Sequence, residues 1–147
     1  MDIFQRLLFY NFVENVSLLT KEEHIKYWVT TAKNDWRAIQ NMYKSRDYLH
    51  ALFFAHLVLE KLCKAHWVKD NVSNTPPKIH NLITLADRTK LQLTEDDRAF
   101  FFEMNNFQLE GRYPDYKNEL YKKYKAVQTK KILDQVDTIR ICLLKNL

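Results

Sequence analysis

A single glycine among 147 residues is the feature that most constrains how this chain can fold. Glycine supplies the positive φ angles of tight hairpin turns, and glycine-rich loops let the backbone approach phosphate in P-loop and dinucleotide-binding folds. Three prolines add little further punctuation. The sequence therefore excludes all-β, P-loop and dinucleotide-binding folds and predicts an all-α protein. A hydrophobic content of 46% is enough for one core.

Helix start and stop signals divide the chain. Thr20 with Glu23 and Thr94 with Asp97 form capping boxes, in which a hydroxyl and an acidic side chain satisfy free amides of the first turn. Gly111, the only glycine, is placed to end the helix that begins at Thr94. Apolar residues recur at spacings of three and four after each start. The predicted core positions of these two helices are Ile25, Trp28, Val29, Ala32, Trp36, Ile39 and Tyr43, and Phe100, Phe101, Met104 and Phe107.

A third segment, from Ser45 and Asp47 to about Lys69, is apolar nearly all round and is predicted to be the central helix. Residues 71–77 read as a loop because they contain turn-forming residues and paired prolines. A short helix is expected next, and Thr129 is predicted to cap the last helix. The inward positions of these two helices are predicted as Ile79, Leu82, Ile83, Leu85 and Ala86, and as Ile132, Val136, Ile139 and Leu143.

These elements add up to an up-and-down antiparallel bundle of four or five helices over residues 20–147. Residues 1–19 are expected to form an extra N-terminal helical segment that docks on the bundle. Polar residues interrupt its apolar runs, so we expect neither a signal peptide nor a membrane span, and no membrane partner. The apolar stripe of this segment consists of Ile3, Phe4, Leu7, Leu8, Phe12 and Val16.

The formal charge of +5 favours anionic partners such as RNA, DNA, nucleotides or membrane surfaces without selecting among them. Cys63 and Cys142 lie inside apolar helical patterns and have no CxxC spacing. We therefore expect both to be reduced core residues of a cytoplasmic protein.

His56, Glu60 and Lys64 lie four residues apart and form one polar line along the apolar central helix. One interpretation is a polar seam in a cleft or at a dimer interface, because an unpartnered polar line is costly to bury. The other is an ordinary Glu60–Lys64 helix pair at the edge of the core. Half of a di-metal helical site has the same spacing, but no second ligand set exists, so we expect no metal and no cofactor.

The second candidate for chemistry is the segment Arg112-Tyr113-Pro114-Asp115. Arginine offers a planar fork for phosphate, and the proline turn would hold that fork in place. Lysines and tyrosines interleave downstream, a composition suited to tracking a nucleic-acid backbone and stacking bases. The alternative is a solvated lysine-rich face. The residues of this stretch are Tyr116, Lys117, Tyr121, Lys122, Lys123, Tyr124, Lys125, Lys130 and Lys131.

The order of these features is similar to that of a known family. The pattern runs through Trp28, Ala32 and Asp35, then Phe54, Leu59, Glu60, Lys61, Lys64 and Ala65, then His80, Leu82 and Leu85, and ends in the Arg112–Asp115 turn. It resembles the HEPN (higher eukaryote and prokaryote nucleotide-binding) family of small helical domains, as a stand-alone prokaryotic member. The resemblance covers roughly Tyr27 to the C-terminus, and the Glu60-Lys61 pair and the Arg112 turn are its specific parts.

The resemblance implies a helical bundle that commonly forms a homodimer, with the turn arginine near the dimer cleft. Many such domains are metal-independent ribonucleases or toxins that use Arg, four to six intervening residues, and then His. Others bind nucleotides or pair with a small nucleotidyltransferase. Here the corresponding positions are Lys117, Asn118 and Glu119, and no histidine follows Arg112. Because this cleavage needs a proton acceptor near neutral pH, the broken motif favours a binding protein.

The sequence therefore predicts a non-catalytic protein that binds a nucleotide or RNA, with a nucleotidyltransferase-type partner in a toxin–antitoxin-like or stress system. The alternatives are a metal-independent endoribonuclease with an altered residue set and a purely structural interaction bundle. No catalytic residue is assigned. The candidate ligand-binding residues are His56, Glu60, Lys61, Lys64, Arg112, Tyr113, Asp115 and Lys117.

Overall fold

A computed structural model of the chain describes residues 2–8, 10, 18–110 and 119–147. Residues 3–8 are helical, and the longer described elements are also helices, with no strand in these ranges. The predicted all-α class is confirmed. The helices are α1 (Lys21–Lys44), α2 (Tyr48–Asp70), α3 (Leu82–Ala86), α4 (Glu95–Glu110), α5 (Glu119–Lys123) and α6 (Ala126–Lys145).

Helix α2 is the centre of the bundle, as its apolar sequence predicts. Fourteen of its 23 residues are buried, and it contacts each of the other five named helices. A helix surrounded in this way must be apolar on every face, since no side of it is left to water. The largest buried side chains from its neighbours are Ile39, Leu82, Leu85, Phe101, Met104 and Phe107.

Contacts at the two ends of the bundle define the directions of the helices. The Lys21 ammonium donates to the carbonyls of Val68 and Asn71, both at 2.7 Å, so α1 begins where α2 ends. The carbonyl of Leu143 lies 2.8 Å from His66 Nε2, so α6 ends at the same place. Helix α4 begins beside this end of α2 too, and its residue Phe107 packs against Tyr124, just before α6 begins. Helices α1 and α4 therefore run opposite to α2 and α6, as in an up-and-down bundle.

The two predicted capping boxes are present. The Glu23 amide donates to Thr20 Oγ1 at 3.2 Å, and the Thr20 amide donates to Glu23 Oε2 at 2.8 Å. Thr94 and Asp97 make the same reciprocal pair, with both distances 3.1 Å. Asp47 occupies the N-cap position of α2 without a capping hydrogen bond from its side chain. Gly111, the predicted stop of α4, lies outside the described residues.

The predicted cap of the last helix is wrong. Helix α6 begins at Ala126 with Lys125 at the N-cap, so Thr129 lies inside the helix, where it is fully buried. Within the part of the chain that the structure describes, its Oγ1 has no hydrogen-bond partner. The helix begins earlier because Tyr124 packs into the core against Phe107, at a ring separation of 5.0 Å. Leu133, rather than Ile132, is the buried residue of its second turn.

Three smaller expectations need correction. Ile3, Phe4, Leu7 and Leu8 are 56–79% exposed, so these four side chains do not dock on the bundle; Phe12 and Val16 lie outside the described residues. Cys142 is exposed, whereas Cys63 is buried and both are free thiols. The short helix α3 begins only at Leu82, because the Asn81 side chain caps it through the Thr84 amide.

Among the described helices, none is long and apolar enough to cross a membrane.

Replacing Thr129 with valine tests the corrected helix start. Valine has the same shape without the buried, unpartnered hydroxyl, so we expect Thr129→Val to raise the free energy of unfolding by about 1 kcal/mol. If Thr129 were the N-cap, the same change would instead lower the free energy of unfolding by about 1 kcal/mol. Urea denaturation of the wild type, Thr129→Val and the hydroxyl-retaining control Thr129→Ser distinguishes the two cases.

Candidate functional site

The polar line of α2 lies inside the bundle and not at its edge. His56, Glu60 and Lys64 are 0%, 5% and 8% exposed. Lys64 Nζ donates to Glu60 Oε1 at 2.7 Å, and His80 Nδ1 lies 3.1 and 3.2 Å from the two carboxylate oxygens. His56 Nδ1 is 3.8 Å from Glu60 Oε2. We call these four residues the Glu60 cluster, since each of the other three faces its carboxylate.

The cluster joins three segments of the chain. Helix α2 carries three of its members, and His80 lies in the loop before α3. The Lys64 ammonium also lies 5.3 Å from the centre of the Trp28 ring of α1. A buried ion pair is tolerated only when its charges have good additional partners. Here His80 is the additional partner of the carboxylate, and the Trp28 ring is the additional partner of the ammonium.

His56 is the least satisfied member of the cluster. Neither ring nitrogen has a hydrogen-bond partner of standard geometry among the described residues, although the Asn105 side chain and the His80 backbone lie beside the ring. Burial lowers the pKa of His56 below its usual 6.5, and the attraction of Glu60 offsets this only in part. The imidazole is therefore neutral at neutral pH. Asn105 Nδ2 is also buried without a partner, while its Oδ1 accepts from the Leu82 amide at 2.9 Å.

His80 connects the cluster with solvent. Its side chain is 44% exposed, against 6% for the Glu60 side chain. A carboxylate on one ring nitrogen orients an imidazole and leaves its other nitrogen available, which is the arrangement of many acid–base pairs. Sequence reasoning placed His80 in the family pattern but not among the candidate site residues, and it did not single out Asn105. His80, in a loop, and Asn105, on α4, become site residues only when the fold brings them to α2.

Lys61, the remaining candidate on α2, belongs to a different contact. Its ammonium pairs with Asp35 Oδ2 of α1 at 2.5 Å, with both side chains partly exposed. This pair links α1 and α2, as the contact between Lys64 and Trp28 also does. The pairing explains why the Glu60-Lys61 dipeptide is useful to the bundle: one residue serves the core and the next serves the helix interface.

A second site, which sequence reasoning did not assemble, lies where α2 and α6 begin. The cavity, of about 510 Å³, is lined by Arg46, Tyr48, Tyr121, Tyr124, Lys125 and Ala126. We call it the tyrosine cavity. Among its described lining residues, two are cationic and none is a carboxylate. Among the described residues, neither the Arg46 guanidinium nor the Lys125 ammonium has a hydrogen-bond or ion-pair partner.

The walls of the tyrosine cavity are held by the core. The Tyr48 ring packs against Tyr43 at 5.5 Å, and the Tyr43 hydroxyl donates to the Ala126 carbonyl at 3.1 Å. Tyr124 is 9% exposed, and Tyr121 is 37% exposed. Arg46 has a φ of 65°, in the left-handed region that is unfavourable for a side-chain-bearing residue. The cavity is thus a fixed feature between two turns, with one tyrosine ring open to water.

The other candidates named from sequence lie outside the described residues: they are Arg112, Tyr113, Asp115 and Lys117. The structure therefore brings together His56, Glu60 and Lys64 and places Lys61 nearby. Within the described ranges, no group of three or more His, Cys, Asp or Glu residues is arranged to hold a metal ion. A further cavity of about 310 Å³ lies at the opposite end of the bundle, beside His66, Asp97 and Leu143.

Fold and site together define an all-α bundle whose central helix carries a buried ionic cluster. The family model for the HEPN domain matches residues 25–146, and the chain therefore belongs to the HEPN domain family. The match begins close to the predicted start of the resemblance and leaves out the N-terminal segment. Searches of the curated proteins and of the solved structures find no match. Family membership relates the chain to nucleotide- and RNA-linked functions.

Removing one charge from the Glu60 cluster tests its contribution to stability. Glu60→Leu leaves the buried Lys64 ammonium without its carboxylate, so we expect a loss of about 3–5 kcal/mol in the free energy of unfolding. The double variant Glu60→Leu/Lys64→Met removes both charges and should recover most of this loss. Equal losses in the single and double variants, measured by urea denaturation, would contradict a coupled pair.

The buried His56 predicts a pH dependence of stability. The unfolded chain takes up a proton near pH 6.5, while the folded chain does so only at lower pH. Stability is therefore fully present above pH 6.5 and falls as the pH is lowered towards the folded pKa, by at most about 1.4 kcal/mol per pH unit. Denaturation at several pH values between 5 and 8 should show a shallower fall for His56→Leu than for the wild type.

His66 contributes in the same direction, because burial also lowers its pKa, with the Leu143 carbonyl opposing this effect. Replacement of His56 should therefore remove part of the pH dependence and not all of it. His50→Gln, at an exposed position of α2, is the matched control and should leave the profile unchanged. A wild-type profile that is flat between pH 7 and 5 would contradict this account.

Proposed function

We propose that this protein is a HEPN-domain binding protein for a nucleotide or RNA and that it does not cleave its ligand. The observation that carries the proposal is the tyrosine cavity, where Arg46 and Lys125 lie beside three tyrosines and have no acidic partner among the described residues. Cations that attract phosphate, next to aromatic rings on which a base stacks, are the elements of single-strand recognition.

The surroundings of the cavity support the same ligand class. Four exposed lysines on α5 and α6 lie close in sequence to the residues that line the cavity. They are Lys122, Lys123, Lys130 and Lys131. Lys122 and Lys130 pair with Glu119 and Asp134, so part of this charge is balanced locally. The protein as a whole keeps a net charge of +5. A surface of this kind attracts polyanions from a distance, and the unpaired cations of the cavity then provide the short-range contacts.

The Arg112-Tyr113-Pro114-Asp115 segment and Lys117 are part of the proposed binding surface, because they directly precede α5 in the sequence. The proposed role of the arginine is a bidentate contact with phosphate. The burial and internal pairing of His56, Glu60 and Lys64 favour a supporting role, as does the pairing of the partly exposed Lys61 with Asp35. These residues hold α1, α2 and the loop before α3 together. Direct contact with a ligand would require the ion pair between Glu60 and Lys64 to break.

Fluorescence anisotropy with a labelled single-stranded RNA in EDTA tests the proposal. We expect the wild type to bind and the double variant Arg46→Gln/Lys125→Gln to bind at least about tenfold more weakly, since two phosphate contacts are lost. The control Arg88→Gln removes an exposed cation at the opposite end of the bundle, where the Arg88 carbonyl accepts from Asn71. It should lose much less affinity. Absence of binding by the wild type would contradict the proposal.

A metal-independent endoribonuclease is the second candidate, and the pairing of half-exposed His80 with buried Glu60 favours it. This imidazole could accept a proton from a ribose 2′-hydroxyl while the carboxylate holds its other nitrogen. The RNA recovered from the binding experiment should be intact on a denaturing gel. Cleavage in EDTA that is lost in His80→Ala or Arg112→Ala would overturn the non-catalytic proposal.

We further propose a homodimer that works with a nucleotidyltransferase-type partner. The family resemblance motivates both, and large apolar side chains left in water, such as Phe102 at 71% and Val127 at 77% exposure, are compatible with an interface. Light scattering at tens of micromolar should give twice the monomer mass, and a stable monomer would contradict the dimer. A neighbouring reading frame for a small nucleotidyltransferase would support the partner, and copurification of the two chains would test it.

A further inference from the structure

We propose that the tyrosine cavity recognises a terminal phosphate monoester, the group found at a phosphorylated RNA end and on a mononucleotide. This inference rests on the proposed function and narrows it. It assigns the cavity to the end of a strand, whereas a general RNA-binding surface would accept the phosphodiester backbone at any point.

The charge of the cavity is the first argument. A phosphate monoester carries about −1.5 to −2 at pH 7, whereas each phosphodiester carries only one negative charge. Arg46 and Lys125 together supply two positive charges, and none of the described lining residues is a carboxylate that would balance them. Asp47 directly follows Arg46 in the sequence but is not a lining residue. The unbalanced charge of the cavity therefore matches a dianion better than a monoanion.

The origin of the two cations is the second argument. Arg46 comes from the turn between α1 and α2, and Lys125 comes from the turn between α5 and α6. The two charges thus reach one cavity from two separate turns, and they are not arranged in a row along a groove. A site of this form surrounds a single group, as a guanidinium fork and an ammonium do around the three free oxygens of a monoester. A phosphodiester has only two free oxygens, and the nucleic-acid strand must also leave the site on both sides of it.

The remaining lining residues suit the nucleoside next to that phosphate. Tyr121, with 37% exposure, offers a ring face on which a base can stack. Tyr48 and Tyr124 pack against Tyr43 and Phe107 and form the rigid wall. Ala126 is the first residue of α6, so the positive end of that helix dipole adds to the field of the two cations. A volume of about 510 Å³ falls in the usual range for small-ligand sites.

Matched RNAs test the inference. Three labelled oligonucleotides of one sequence carry a 5′-phosphate, a 3′-phosphate or hydroxyls at both ends, and their affinities are compared by anisotropy in EDTA. We expect one phosphorylated RNA to bind about tenfold more tightly than the hydroxyl-ended RNA. We also expect a nucleoside monophosphate, and not the nucleoside, to compete for the site.

Single variants identify the cavity as the source of this preference. Arg46→Gln and Lys125→Gln should each reduce the preference for the phosphorylated end, and Arg46→Lys should retain part of it because the charge remains without the fork. Arg88→Gln should keep the full preference. Melting temperatures are recorded for all variants. Because Lys125 is exposed, its variant tests the inference even where a change at Arg46 affects folding.

The outcomes separate this inference from the proposed function. Equal binding of all three RNAs, with affinity still lost in the Arg46→Gln/Lys125→Gln variant, would overturn the terminal-phosphate inference and leave RNA binding standing. A preference for one phosphorylated end that persists in both single variants would also overturn it, since the phosphate would then bind elsewhere. Absence of binding by the wild type to any of the RNAs and to the monophosphate would overturn both.

Discussion

The Glu60 carboxylate, buried at the middle of the central helix, sets the conditions that the rest of the bundle meets. A charge in that position is costly unless it is neutralised and hydrogen-bonded on more than one side. Lys64 supplies the countercharge one turn away, and the His80 loop approaches both carboxylate oxygens. Trp28 of α1 then covers the ammonium. The Glu60 cluster thus ties both α1 and the chain before α3 to the central helix.

The sequence was informative wherever a short-range rule applied. The capping boxes at Thr20 and Thr94 depend on hydrogen bonds within a single turn, and α2 had to be central because all its faces are apolar. The prediction at Thr129 failed for the opposite reason. A threonine after a lysine-rich stretch satisfies the local cap rule, but packing of Tyr124 against Phe107 moves the helix start ahead of it, and tertiary contact overrides local preference.

The candidate sites divide in the same way. The line of His56, Glu60 and Lys64 could be read from spacing, because helical geometry places every fourth residue on one face. The burial of this polar line and its contact with His80 could not be read from spacing, since they depend on where an irregular loop lies. The tyrosine cavity was beyond sequence reasoning altogether. Its two cations come from separate turns, and nothing in the residues around Arg46 indicates that Lys125 faces the same space.

The hydrogen bond from Tyr43 to the Ala126 carbonyl has a consequence for when the tyrosine cavity can form. It joins residues 83 positions apart and fixes the end of α1 beside the start of α6. Contacts of such long range form late, because a large part of the chain must be ordered before they close. During synthesis the first helices can pair as soon as α2 has emerged. The cavity can form only after residue 126 has left the ribosome, so most of the chain is synthesised before the walls of the cavity come together.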